Sequence, residues 1–169
     1  MTRIVLVISF SILITIFHAQ QKSLLIKKAV DVIQLDGELN EDSWYAAMKA
    51  DEFNQVYPSD SVMAAEGTQV MMCFDNNNLY VAAICYDNSM EDDFVVSSLK
   101  RDYSFPINDA FAVFLDPFND NTNGFSFSTN PYGVQREGLI ESAGVFGVTT
   151  AWDNKWFVEV KHNSDSWVV

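Results

Sequence analysis

The residue types that carry most enzyme chemistry are scarce in this chain. It holds two histidines, His18 and His162, and two cysteines, Cys73 and Cys85. His18 falls in an N-terminal apolar leader, so a Ser-His-Asp or Cys-His arrangement has one base available. That base, His162, sits in the polar stretch KHNSDS, where a turn is expected. Clusters of His and Cys at metal-binding spacing are not present. Carboxylates are more plentiful: Asp109, Asp116, Glu137 and Glu141 lie on or beside expected strands. Glycoside hydrolysis needs two acids across a cleft, a separation that sequence spacing does not fix, and solvated charges are the simpler reading. The loop DPFNDNTNG, 116–124, is rich in oxygen ligands, and Asp116, Asn119 and Asp120 are candidates for calcium. It does not fit an EF-hand, because its bidentate acid position holds Asn130, and Asx-rich hairpin turns share this composition without metal. Trp152 and Trp156 lie in TTAWDNKW, next to turn residues. An exposed indole there stacks on the C–H face of a pyranose while Asn, Gln, Arg and Asp side chains bind its hydroxyls.

The elements that position these residues are mostly strands. LLIKKAVDVIQL reads as a first strand, and Asp36-Gly37 turns the chain. Asn40 is expected to cap a short helix with Glu41 and Asp42 in its first turn. Trp44, Ala47 and Met48 then fall at i, i+3, i+4 and form one apolar face, with Trp44 packed inward. Beyond the helix the period changes to two, and strands are expected at 66–74, 79–87, 109–115, 124–130, 133–140 and 155–161. Turn signals separate them: DNNN, FNDNTNG, NPYG and WDNK. Residues 88–104 read as a long surface loop with a helical turn at 94–99. The fold class is therefore all-β: an antiparallel β-sandwich of immunoglobulin or jelly-roll type with one short N-terminal helix. SDSWVV reads as the opening of a further strand, so the C-terminal strands of the sandwich are expected to be missing from this chain.

Charge narrows the partners. The chain carries −13 at neutral pH, which becomes −14 without Arg3, the only charge in the leader. Nucleic acid is excluded as a partner, since it needs a basic stripe, and an anionic membrane surface is disfavoured. Arg3, the apolar run 4–17 and the small Ala19 describe a secretory signal over residues 1–19, leaving 20–169 as one domain in a secreted, periplasmic or outer-membrane protein. Although such a compartment permits disulfides, the expected hairpin of QVMMCF and LYVAAICY puts Cys73 opposite Tyr80 and Cys85 opposite Thr68. The two thiols then lie on opposite faces and several rungs apart, so both should be free.

Five segments, taken in order, resemble the family 9 carbohydrate-binding modules in their divergent N-terminal form: IQLDGELNEDSW, CFDNNNLYVAAICYD, NDAFAVFLDPFND, NGFSFSTNPYGVQREG and WDNKW…SWVV. The resemblance covers residues 32–169. It implies a β-sandwich that binds sugar chains without catalysis, attached to a carbohydrate-degrading protein, in a family whose members can hold calcium. It equally admits a structural sandwich docked to a downstream outer-membrane β-barrel-like domain, with no free sugar bound. By loose family position, and by placement beside loops and strand ends, Arg101, Phe105, Asn130, Gln135 and Trp152 are the carbohydrate-binding candidates. The chain departs from the family at two points. Phe105-Pro106 stands where sugar-binding members have an aromatic clamp residue, and the strand FSFST lacks the basic side chain that contacts sugar.

Overall fold

The computed structural model describes residues 22–59, 61–87, 94–144 and 147–169. The leader read at 1–19 lies outside the described residues. Ten short strands and one helix occur among them: β1 Lys27–Lys28, α1 Asp42–Ala46, β2 Lys49–Ala50, β3 Thr68–Phe74, β4 Leu79–Tyr86, β5 Phe111–Leu115, β6 Gly124–Thr129, β7 Gln135–Ile140, β8 Val148–Thr149, β9 Lys161–His162 and β10 Ser166–Val168. They form two sheets. The first runs β1-β3-β4-β10-β9, with β2 also paired to β3, and the second runs β5-β6-β7-β8. All pairings are antiparallel except β1 with β3. The fold is thus the expected all-β sandwich with one parallel edge.

The β3–β4 hairpin has the register read from its turn, with Cys73 opposite Tyr80 and Cys85 opposite Thr68. Both thiols are free. Asp75 holds the turn: its carboxylate accepts the N–H groups of Asn77 and Asn78, both at 2.7 Å, and the Tyr80 hydroxyl at 2.8 Å. β10 continues the sheet beside β4, pairing Trp167 with Cys85. Gly37 turns the chain with φ +77°, and a Cβ there would meet the Lys161 Cβ at 2.9 Å, so both conformation and space favour glycine.

Four local readings change. The expected first strand shrinks to Lys27–Lys28, because the chain then bends to bring Asp31 to the helix. Asn40 is not the cap. Glu41 occupies the N-cap position without a side-chain cap bond, and the Asp31 carboxylate instead accepts the N–H of Asp42 at 2.8 Å and the Ser43 hydroxyl. Residues 94–99 are not helical. Of the expected strand 155–161 only Lys161–His162 pairs. The reason lies in its two ends: Trp156 is drawn to β7 in the second sheet, while Lys161 belongs to the first. The segment between them crosses the layers.

Trp44 is 5% exposed and packs with Ile33, Met71, Cys73 and Ala82, with Ala47 against them. Met48 is 47% exposed and does not share that face. The two sheets do not close fully. A cavity of about 670 Å³ lies between them, lined by Ile33, Trp44 and Ala82 on one side and by Phe111, Val113 and Phe127 on the other.

Trp44→Ala should cost about 3–5 kcal/mol, read from urea melts, because it enlarges a gap that neighbours cannot fill. A loss near that of a surface substitution would remove Trp44 from the core. A second measurement concerns the hairpin turn. The Asn77 N–H, followed by the Tyr80 hydroxyl and the Asn78 N–H, holds the Asp75 carboxyl below the usual carboxylate range. Its stabilising effect is therefore present above the unfolded pKa of about 3.9 and fades as pH falls through the lower folded value. The stability difference between the protein and Asp75→Asn should be constant near neutral pH and shrink below about pH 4. A difference that widens on acidification would contradict this.

Candidate functional site

Strand alternation divides the second sheet into two unlike faces. Register aligns Phe111 with Thr129 and Gln135, Val113 with Phe127 and Glu137, and Leu115 with Phe125 and Leu139. Phe111, Val113, Leu115 and Phe127 line the gap toward the first sheet, so this is the inner face. The outer face carries Ala112, Ser128 and Arg136 on one rung and Phe114, Ser126 and Gly138 on the next.

On the inner face, the Glu137 side chain is 1% exposed and must be paired. Its Oε1 accepts from the Arg101 guanidinium, and its Oε2 accepts from the Trp156 indole N–H at 3.1 Å. Arg101 also donates to Gln135 Oε1 and to Asp153 Oδ1, each at 2.9 Å, and to the Asn154 carbonyl at 3.5 Å. The Glu137 carboxylate, more than any other neighbour, holds the Arg101 pKa above the ordinary arginine value. Gln135 completes the set by donating to the Trp156 carbonyl at 3.0 Å.

Two of the five expected sugar contacts, Arg101 and Gln135, thus meet, but they bind each other and Glu137. Trp152 is half-buried against Phe125 and Phe127, at centroid distances of 5.0 and 6.0 Å. Phe105 is half-buried at the start of a single 3-10 turn, Phe105–Ile107, and has no aromatic partner among the described residues. Asn130 is 0% exposed, and its Oδ1 accepts the N–H groups of Tyr132 and Val134, closing the β6–β7 turn. The ring pairs in contact among the described residues have centroids 5.0–6.5 Å apart.

The 116–124 loop spends its carboxylates locally. Asp116 accepts the N–H groups of Phe118 and Asn121, and Asp120 those of Thr122 and Asn123. Asn119 takes a positive φ of 53° in the same loop. Among the described residues no three His, Cys, Asp or Glu side chains are grouped to hold a metal ion. His162 bonds the Pro131 carbonyl at 2.7 Å and packs against Phe94 and Tyr132.

On the outer face a different set emerges. The Arg136 guanidinium has no hydrogen bond or ion pair among the described residues, and its Nε is buried. The Ser126 hydroxyl is buried, at 1% exposure, and has no partner. Tyr103 bonds Ser128, and burial pushes its phenol pKa up, countered by that bond and by Arg136. Phe114, beside Ser126, is 57% exposed. The signal was present in GFSFST and QREGLI, where alternation sends both serines and Arg136 to one face. FSFST itself carries no basic side chain, and the one on this face, Arg136, comes from the neighbouring strand, opposite Ser128.

Arg101→Met should destabilise the protein by about 2–3 kcal/mol. That is below the roughly 3–5 kcal/mol of a fully buried pair, because Arg101 is partly in water and Trp156 still holds Glu137. Urea melts of this variant and of the double variant with Glu137→Gln check it, since the second change should recover part of the loss. A single-variant loss under about 0.5 kcal/mol would reduce the pair to an ordinary surface contact.

Compared with family models, with curated proteins and with solved structures, the chain has no match.

Proposed function

We propose that the chain is a non-catalytic carbohydrate-binding module, akin in role to the family 9 modules that its sequence resembles. The observation that carries this reading is the outer face of the second sheet. There the bare Arg136 guanidinium, the partnerless Ser126 hydroxyl and the exposed Phe114 ring lie on adjacent rungs. Such a face offers a stacking surface and polar groups without partners, which is what a hydroxyl-rich ligand uses. Arg101 and Gln135 act in this reading as supports, because their polar groups bond within the fold, and the Asn130 Oδ1 closes the β6–β7 turn while its buried Nδ2 has no partner among the described residues. The leader-like residues 1–19 support a module that works outside the cytoplasm, and in this reading it is joined to a larger carbohydrate-degrading protein. The candidate calcium ligands Asp116 and Asp120 lie in the 116–124 loop, where their carboxylates accept backbone N–H groups.

A second reading is a docking sandwich seated against a downstream barrel-like domain. It is favoured by β5, an edge strand that pairs only with β6 among the described residues, and by the apolar gap beside it, which an added strand would fill.

Retention on insoluble xylan, cellulose, mannan and chitin separates the two. The sugar-binding reading expects retention on at least one, weakened roughly two- to tenfold by Phe114→Ala. A protein retained by none, with intact thermal melts, is the docking outcome.

A further inference from the structure

We infer that the outer face of the second sheet selects a sugar chain bearing isolated carboxylate substituents, with Arg136 as the group that holds the carboxylate. This rests on the carbohydrate-binding reading of the same face and names its ligand class. The argument begins with the chain's three arginines, Arg3, Arg101 and Arg136. Of the two described, Arg101 is saturated by four acceptors. Arg136 has none among the described residues, although its Nε is buried. A guanidinium N–H that has lost water without gaining an acceptor is unfavourable, and a planar carboxylate matches the donor fork bidentately.

The neighbours fit a sugar better than a free anion. Ser128 faces Arg136 across the ladder, Tyr103 bonds that serine, and the buried Ser126 hydroxyl on the next rung has no partner. Phe114 flanks Ser126 and exposes its ring. Hydroxyl partners and an apolar platform therefore adjoin the charge, an arrangement that inorganic phosphate would leave unused.

The rest of the chain limits the density of charge on the ligand. At −13 the protein repels a polyanion at long range. Contact with one carboxylate is short-ranged and survives that field, whereas a chain charged at every residue does not. The ligand class is thus a largely neutral backbone with occasional uronic acid branches, such as glucuronate-substituted xylan.

Isothermal titration of the purified protein tests this with four ligands: a xylo-oligosaccharide, the same oligosaccharide bearing one glucuronate, free glucuronate, and inorganic phosphate. The substituted oligosaccharide should bind at least about tenfold tighter than the plain one, as a charge-assisted hydrogen bond allows. Arg136→Gln should bring the affinity for the substituted oligosaccharide down to that for the plain one, abolishing the preference, and Arg136→Lys should restore part of it. Should Arg136→Gln not fold, Phe114→Ala, altered at an exposed site, should weaken both oligosaccharides and keep the preference. Equal affinity for the two oligosaccharides overturns the carboxylate inference and leaves sugar binding standing. Failure of both to bind overturns the sugar reading as well. Phosphate or free glucuronate binding as tightly as the substituted oligosaccharide would make this a simple anion site and overturn the proposal.

Discussion

A carboxylate on the inner face of a sheet has to find a cation and hydrogen-bond donors, because burying it alone is far more costly than any single packing contact. Glu137 on β7 meets that requirement with Arg101 from the long loop before β5 and with Trp156 from the segment after β8. Meeting it fixes more than one side chain. Arg101 brings with it Asp153 and the Asn154 carbonyl, and the same loop, four residues on, lays Phe105–Ile107 ahead of β5. Trp156 pulls residues 155–160 off any ladder and across to the first sheet, where Lys161 pairs with Val168. Both connections between the sheets' outlying segments therefore depend on one buried acid.

The same pairing explains why the two arginines differ. Arg101 and Arg136 lie on opposite faces of β7, since Arg101 bonds Gln135 and Glu137 while Arg136 projects the other way. The inner face supplies an acid to neutralise a guanidinium. Among the described residues the outer face supplies serine hydroxyls and Tyr103 and no acid. An internal ion pair stabilises the fold on one side, and the Arg136 guanidinium has no acceptor among the described residues on the other. Asn130 shows the same division of labour, since its side-chain oxygen is consumed in closing the β6–β7 turn and has no place at the ligand face.

The inter-sheet gap has a different origin. β5 contributes Phe111, Val113 and Leu115 to it but has a strand on one side only among the described residues. Large apolar side chains facing a cavity lose the dispersion contacts that a filled core would give, and Ile33, Trp44 and Ala82 of the first-sheet cluster face the same gap from across it.

Alternation and turn chemistry, both local properties, made much of the fold legible from the sequence by itself. TQVMMCF-DNNN-LYVAAICY determined a hairpin with its register, and with it the separation of Cys73 from Cys85. The spacing of Trp44 and Ala47 determined an inward-facing helix side, and the alternation in GFSFST and QREGLI determined which residues share a face. Tertiary structure decided which partner each polar group takes, because hydrogen bonds are short-ranged and their acceptors arrive from distant segments. Asp31, not Asn40, holds the helix start, since only the folded bend at Val30 and Asp31 brings it there. The strand expected at 155–161 dissolved because Glu137 and Gln135 compete for Trp156 more effectively than a ladder does. Arg101 and Arg136 are indistinguishable as residue types. Whether a carboxylate lies within hydrogen-bonding distance is settled only when the strands stack, and that alone makes one a structural tie and the other a free donor.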